Sequence, residues 1–341
     1  MLNRRQLTTA LVGAAAAATF AWQPANADMK ADLAAEAANG PAVTWYESSK
    51  EDQAEAIIAA FNKTYPDIEV QHIRVVGGNK VAGRVVQEIQ GQGYTADLVT
   101  AGSSQIWQLN ERGHLMSTDW QALGVPTQLT PSDFTVAIAA SVYVILVNTD
   151  KVPASEEPKS WADLMDPKWA GRMGSWVRAG AFAQVAHVWG KDKAQAKLEK
   201  FVTLKPYLFK STFPMAQQVG AGEVDVAIGF FHTAQPPIDA GAPLKRIALD
   251  PAPMHTIYTS VTEAARNPAG AKLFLAWLAS PEGAMAYENA TNRGSHLLKG
   301  TRTYDLVSKI QSSEFPAAET AAYREIATSF NEILGSAGAP R

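Results

Sequence analysis

Ala42-Val43-Thr44-Trp45-Tyr46-Glu47-Ser48-Ser49 is the stretch on which the fold turns. A short β-prone run gives way to a serine pair. Glu51 and Asp52 stand three residues beyond those serines, offering two overlapping capping boxes. Behind them Ala54, Ile57, Ile58, Phe61 and Tyr65 recur at the helical spacing and draw one apolar face, which Pro66 ends. The rhythm then repeats. Residues 68–76 are β-branched and extended, and Gly77-Gly78-Asn79 turns them into a helix predicted over 80–90. Ala96-Asp97-Leu98-Val99 is a third strand, closed by Ala101-Gly102-Ser103-Ser104 and a helix carrying Ile106, Trp107 and Leu109. Three strand–helix units in succession predict an α/β fold with a parallel sheet.

Further along, residues 134–147 form an apolar run too long for one ordinary strand, suited to carrying the chain from one domain into another. Pro153, Pro158 and Pro167 punctuate the next loop, where Trp161 and Trp169 read as packing anchors. Arg178-Ala179-Gly180 leads into a helix with Phe182, Val185, Ala186 and Trp189 on one side. Helix 215–219 breaks at Gly220-Ala221-Gly222 into the strand 224–229. Pro251 and Pro253 bracket a return crossing toward Ile257 and Tyr258. Asn267-Pro268 caps a helix whose buried face is Leu273, Phe274, Trp277 and Leu278, and Ser280-Pro281 stops it. A last helix is predicted over 317–334.

The ends and the composition bound the rest. Asn3-Arg4-Arg5-Gln6-Leu7-Thr8, an alanine-rich apolar run and Ala25-Asn26-Ala27 read as a cleavable export signal over 1–27, with the paired arginines favouring the Tat route. Residues 28–41 are expected to be a leader ahead of the fold. The chain has no cysteine, which excludes disulfides, thiolate metal sites and a lipid anchor. A soluble protein of the Gram-negative periplasm is expected. Losing Arg4 and Arg5 leaves 28 basic residues against 33 acidic ones and takes the net charge from −3 to −5, so nothing points to nucleic acid.

With those stretches in place, the chain resembles the type II periplasmic solute-binding proteins of ABC importers, in the group that takes ferric ion, sugar phosphate or polyamine. The likeness rests on 43–49, on 143–152 with Pro158-Lys159-Ser160-Trp161-Ala162-Asp163-Leu164, on 222–229, and on 267–274 ending in Ser280-Pro281-Glu282-Gly283. It implies two lobes, each a mainly parallel sheet with flanking helices, joined by two hinge crossings. Lobe 1 is expected over 42–140 and 253–310 and lobe 2 over 141–252, with 311–341 a C-terminal helix of unassigned lobe. It also implies an ABC permease as partner, a monomer, and a solute delivered without chemistry.

Independently of that likeness, ligands of α/β sheets sit beyond the carboxyl ends of the strands, and helix N-termini favour anions. The candidate ligand residues are therefore Ser48, Ser49, Gly78, Asn79, Gly102, Ser103 and Ser104 on one side. Arg178 and Gly180 face them from the other; the resemblance, which puts the family's tyrosine pair at this place, adds Phe231 and His232, with Tyr143 as a phenol lining the cleft, and Trp45, Tyr46 and Phe230 are a candidate aromatic wall. Arg178 is the sharpest of these, because a guanidinium grips an oxyanion bidentately. Arg74, on an alternating strand, reads as solvated. A small anionic solute follows: a carboxylate, a phosphate ester or phosphonate, or an oxyanion.

Ferric iron is the alternative. The iron binders of the family carry a tyrosine pair where this chain reads Phe230-Phe231-His232, and Tyr46, Tyr143 and Tyr258 are the remaining phenols near the expected cleft. Histidines 72, 114, 187, 255 and 296 show no metal-ligand spacing. No metal or other cofactor is expected. An exported hydrolase is the alternative of another class, without a nucleophile elbow, P-loop or zinc motif to support it.

Overall fold

The computed structural model describes residues 23–339, so the expected signal lies almost wholly outside the described residues. The chain runs α1 (Gln23–Ala38), β1 (Val43–Glu47), α2 (Glu51–Phe61), β2 (Val70–Arg74), α3 (Gly78–Gln92), β3 (Leu98–Gly102) and α4 (Ser103–Glu111). Then follow β4 (Val136–Asn148), β5 (Met173–Trp176), α5 (Gly180–Trp189), α6 (Lys191–Thr203), β6 (Tyr207–Phe209), α7 (Thr212–Gly220), β7 (Val226–Phe230), α8 (Gln235–Asp239) and β8 (Leu244–Ala248). The last part is β9 (Ala252–Val261), α9 (Pro268–Leu278), α10 (Pro281–Thr291), α11 (Arg302–Val307), β10 (Ser312–Ser313) and α12 (Thr320–Gly335).

The strands form two sheets that share β4. In the first the order is β2-β1-β3-β9-β4, with β1 parallel to both β2 and β3 and β9 antiparallel to β3. In the second, β5 lies parallel to β6 and β7, and β4 runs antiparallel to β7 and β8. Parallel strands thus make the body of each sheet, and the antiparallel ones are the crossers. Val136 to Val142 of β4 pair with β9, and Tyr143 onward pairs with β7 and β8. One 13-residue strand therefore belongs to both sheets.

Every residue of β4 is buried. Its alternate side chains serve opposite faces: Tyr143, Ile145 and Val147 pack under α5, α6 and α12, while Val142, Val144 and Leu146 pack under α7. A strand covered on both faces reads as one unbroken apolar run. In the first sheet Trp45 and Val43 enter the core made with α2, α9 and α10, whereas Tyr46 and Val99 enter the core made with α3 and α4. Two lobes with separate cores result, joined through β4 and β9.

One expectation is corrected and one is extended. Residues 28–41 are not a leader ahead of the fold: α1 occupies most of them, and Ala37, with Leu33 and Ala34, packs on the first core. Asn267 ties that helix down by donating from Nδ2 to the carbonyls of Ala37 (3.0 Å) and Pro41 (2.7 Å), while its Oδ1 caps α9 through Gly270 N–H. Ser280-Pro281 ends α9 but also starts α10, with Ser280 Oγ accepting from Gly283 N–H at 3.1 Å. Pattern alone gave no sign of α10, because its alanines leave a weak apolar stripe.

Candidate functional site

The crossing strands bring a line of rings to the junction of the lobes. Phe230, the last residue of β7, packs on Tyr143 of β4 (centroids 4.2 Å) and on His232 (5.3 Å). Trp176, ending β5, meets Phe230 edge-on at 5.8 Å and carries the Arg178 guanidinium over its face at 5.0 Å. Gly180 opens α5 beside Tyr143, and a Cβ on it would fall inside contact distance of the Tyr143 oxygen and 3.1 Å from His255 Nε2. Only glycine permits that approach. Lobe 2 therefore offers Tyr143, Phe230, His232, Arg178 and the α5 N-terminus together.

The other lobe answers with residues after α10 and β1. Arg293 Nη2 donates to His232 Nε2 at 3.1 Å, across the junction. Since a guanidinium only donates, that ring nitrogen accepts and the imidazole proton resides on Nδ1. Burial, and then the Arg293 charge, hold the His232 pKa well below 6.5, so the ring is neutral. Its Nδ1–H is buried and has no partner among the described residues, and the same is true of Arg293 Nε–H. Beside them Tyr287 donates to Glu47 Oε1 at 3.2 Å, and burial followed by Glu47 raises its pKa.

The sequence profile of the family described as bacterial extracellular solute-binding protein matches residues 43–290. This chain belongs to that family. Among curated relatives, this solute-binding protein is 29% identical over 147 residues to an uncharacterized protein of Haemophilus influenzae, a match covering 40% of the chain and 42% of that relative. It is 24% identical over 312 residues to the major ferric iron-binding protein of Neisseria gonorrhoeae, covering 86% and 92% of the two chains. Iron-bound HitA from Pseudomonas aeruginosa has the same fold, with a TM-score of 0.73, 20% identity, and 86% and 100% coverage. So does AfuA from Actinobacillus pleuropneumoniae with fructose-6-phosphate bound, at a TM-score of 0.68, 21% identity, and 86% and 98% coverage.

Not every residue expected at the site of this solute-binding protein converges there. Trp45 is fully buried within the first core, its Nε1 donating to Thr100 Oγ1 at 2.8 Å, and it forms no wall. Tyr46 faces α3, donates to Glu88 at 2.9 Å beneath Arg84, and is pushed up to about 12 by burial and Glu88. Phe231 turns the other way from Phe230, into the core under α7, with Arg246 3.8 Å above its ring. Gly78 and Asn79 group with Gln105 at the β2–α3 turn, where Gln105 Nε2 donates to Asn79 Oδ1 at 2.8 Å. Arg74 is exposed and donates to the Ser48 carbonyl at 3.2 Å.

The serine turns behave differently from ordinary caps. Lys50, not Ser48 or Ser49, takes the cap position of α2. Ser48 Oγ donates to Glu47 Oε1 at 3.2 Å and Ser49 N–H donates to Glu47 Oε2, so the protein's own carboxylate already occupies those donors. Gly102 caps α4 without a side-chain bond, and Ser104 Oγ is buried with no partner among the described residues. Sequence reasoning missed Arg293, Tyr287, His255 and Gln184. Arg293 stands in Thr291-Asn292-Arg293-Gly294, with no motif around it, and only the αL residue Asn292 (φ 60) turns it back toward the junction.

Proposed function

We propose that this protein is the receptor of an ABC uptake system and captures a small anionic solute between its lobes. The observation that carries the reading is an excess of unmatched donors. His232 Nδ1–H and Arg293 Nε–H are both buried and unpartnered, and neither Arg178 nor Arg293 has an ion-pair partner among the described residues. A buried donor left unpaired costs about 1–3 kcal/mol, so the site favours a guest made of acceptors. A carboxylate, phosphate ester, phosphonate or other oxyanion meets that demand, with Arg178 and the α5 N-terminus from lobe 2 and Arg293 from lobe 1. Such a guest touches both lobes only when they are shut, and so selects the closed state.

Relatives whose ligands are iron keep ferric uptake as the comparison. Hard ferric iron calls for ionised phenols, and the positions beside His232 are Phe230 and Phe231. Burial raises the pKa of Tyr143, Tyr258 and Tyr46, which works against phenolate formation. For hydrolysis, the acids nearest to the strand ends are already occupied: Asp97 accepts from the Thr44, Arg266 and Asn267 amides and Glu47 from Ser48, Ser49 and Tyr287. The proposal includes a periplasmic monomer, exported by the Tat route and cleaved after Ala27, delivering its solute to an inner-membrane permease. A thermal-shift panel of inorganic phosphate, citrate, fructose 6-phosphate and ferric citrate tests it. Stabilisation by an anion without turnover is expected. Stabilisation by the ferric salt alone, with visible colour, overturns it.

A further inference from the structure

The ring of His255 on β9 lies between Tyr143 and Gln184 of α5, and the proton on it can be placed. Gln184 Oε1 accepts from the Phe315 amide at 2.9 Å. Turning the side-chain amide over would set its NH2 against that N–H, so Nε2 points at His255 Nδ1, 2.9 Å away, and donates to it. Nδ1 is then an acceptor, and the neutral ring carries its proton on Nε2. Burial, and then the Arg178 charge, push the His255 pKa down to about 4, which keeps the ring neutral at physiological pH. Nε2–H therefore donates to the Tyr143 oxygen at 3.0 Å.

That bond occupies one lone pair of Tyr143 and leaves its own O–H to donate elsewhere. His255 is the sole hydrogen-bond partner of the phenol among the described residues. The phenol stays protonated, since burial raises its pKa well above 10. Its oxygen lies beside Gly180, at the N-terminus of the ten-residue helix α5, in space that any Cβ would fill.

We propose that Gln184 and His255 are positioning residues that hold Tyr143 as an obligatory hydrogen-bond donor, so that lobe 2 accepts an ionised carboxylate or phosphoryl oxygen and turns away an ammonium group. This rests on the anion reading of the same cleft and sharpens it: the relay Phe315–Gln184–His255–Tyr143 runs one way, and every step donates toward the guest. Neither Gln184 nor His255 touches the solute.

Nitrogen-15 NMR of histidine-labelled, ligand-free protein reads the relay directly. The expected His255 has a bare Nδ1 and a protonated Nε2, and in Gln184→Met the two tautomers mix. Calorimetry with inorganic phosphate, citrate and putrescine reads its consequence. Whichever anion binds should lose at least about tenfold in affinity in Tyr143→Phe, with the ring tautomer unchanged, as for a lost bond to a charged group. Putrescine should not bind. An Nδ1-protonated ring in the wild-type protein overturns the relay whatever binds, as does wild-type affinity in Tyr143→Phe or competition by putrescine. The expected tautomer with neither anion binding removes the anion reading and leaves the proton placement intact.

Discussion

Arg178 is exposed, rests on the face of Trp176, and has no ion-pair partner among the described residues, so its removal separates binding from folding. Arg178→Ala should weaken anion binding at least about tenfold, while the melting curve of the unliganded protein stays within the effect of one exposed cation–π contact, about 0.5–1 kcal/mol. Unchanged affinity by calorimetry would remove Arg178 from the site. Glu314 tests the opposite case, a half-buried acid. It accepts from Thr256 N–H at 2.6 Å and from the Thr256 hydroxyl, beside a cavity of about 170 Å³ shared with Tyr258 and His296. Burial raises its pKa from 4.5 to about 7 against those hydrogen bonds. The unfolded chain gives up the proton near pH 4.5, so the stabilisation is complete below that pH and is lost as pH rises to about 7. A shift of that size corresponds to about 3 kcal/mol. Glu314→Gln should raise the melting temperature at pH 8 and barely alter it at pH 4.5; equal effects at both would sink the assignment. His255 and His296, pushed down to about 4 by burial, work the other way and cost stability as pH falls from 6.5 toward 4. At this scale, residues next to a strand end or helix start could be named as candidates from the sequence, and Arg178, Gly180, Phe230 and His232 do lie close together. Arg293 and Gln184 were not, because their roles come from which side chain meets them and no local pattern encodes that.

Among the elements, α1 shows how one side chain can attach a whole helix. Asn267 holds the end of α1 by the Ala37 carbonyl and the turn after it by the Pro41 carbonyl, and caps α9 with the same amide; Gly40 lies so close that a Cβ there would meet it at 2.7 Å. Asn267→Ala should destabilise the protein by about 1–2 kcal/mol through the lost cap. Amide hydrogen exchange across Gln23–Ala38 should quicken at the same time. Loss of stability with α1 still protected would mean that the amide serves α9 alone. Helix α1 was read as a leader because its alanine-rich sequence has no apolar stripe of its own, and a helix of that kind is stabilised by what it docks on. The strands were easier to read. Val43–Glu47 and Leu98–Gly102 are short runs closed by turn residues, and the length of β4 announced a crossing before any pairing was known. The capping of α2 was misread: Lys50 takes the cap position, and Ser48 and Ser49 are drawn to Glu47 instead of to the helix.

For the molecule as a whole, the contact between His232 and Arg293 matters most, because it joins residues 61 positions apart across the two lobes. A solute that completes the free donors on both partners should favour the shut arrangement. Small-angle X-ray scattering should show the wild-type protein contracting when saturated with the anion of largest thermal shift. Arg293→Ala should contract less at saturation, not merely bind more weakly. Full contraction of that variant would show that closure does not run through this pair. The apolar clusters under α2 and α9 and under α5 and α6 are separate, so the proposed closure would alter the junction and spare the interiors.

Periodicity and turn chemistry, which are local properties, determined that this chain alternates strands and helices, crosses between two sheets, and presents helix starts at one edge. Family likeness followed from the order of those same segments. Which donors remain free was decided only in three dimensions. Glu47 satisfies the serine turn, Phe231 rotates into the core, and Arg293 reaches the junction from the turn after α10, because hydrogen-bond partners are assigned by packing between segments distant in sequence.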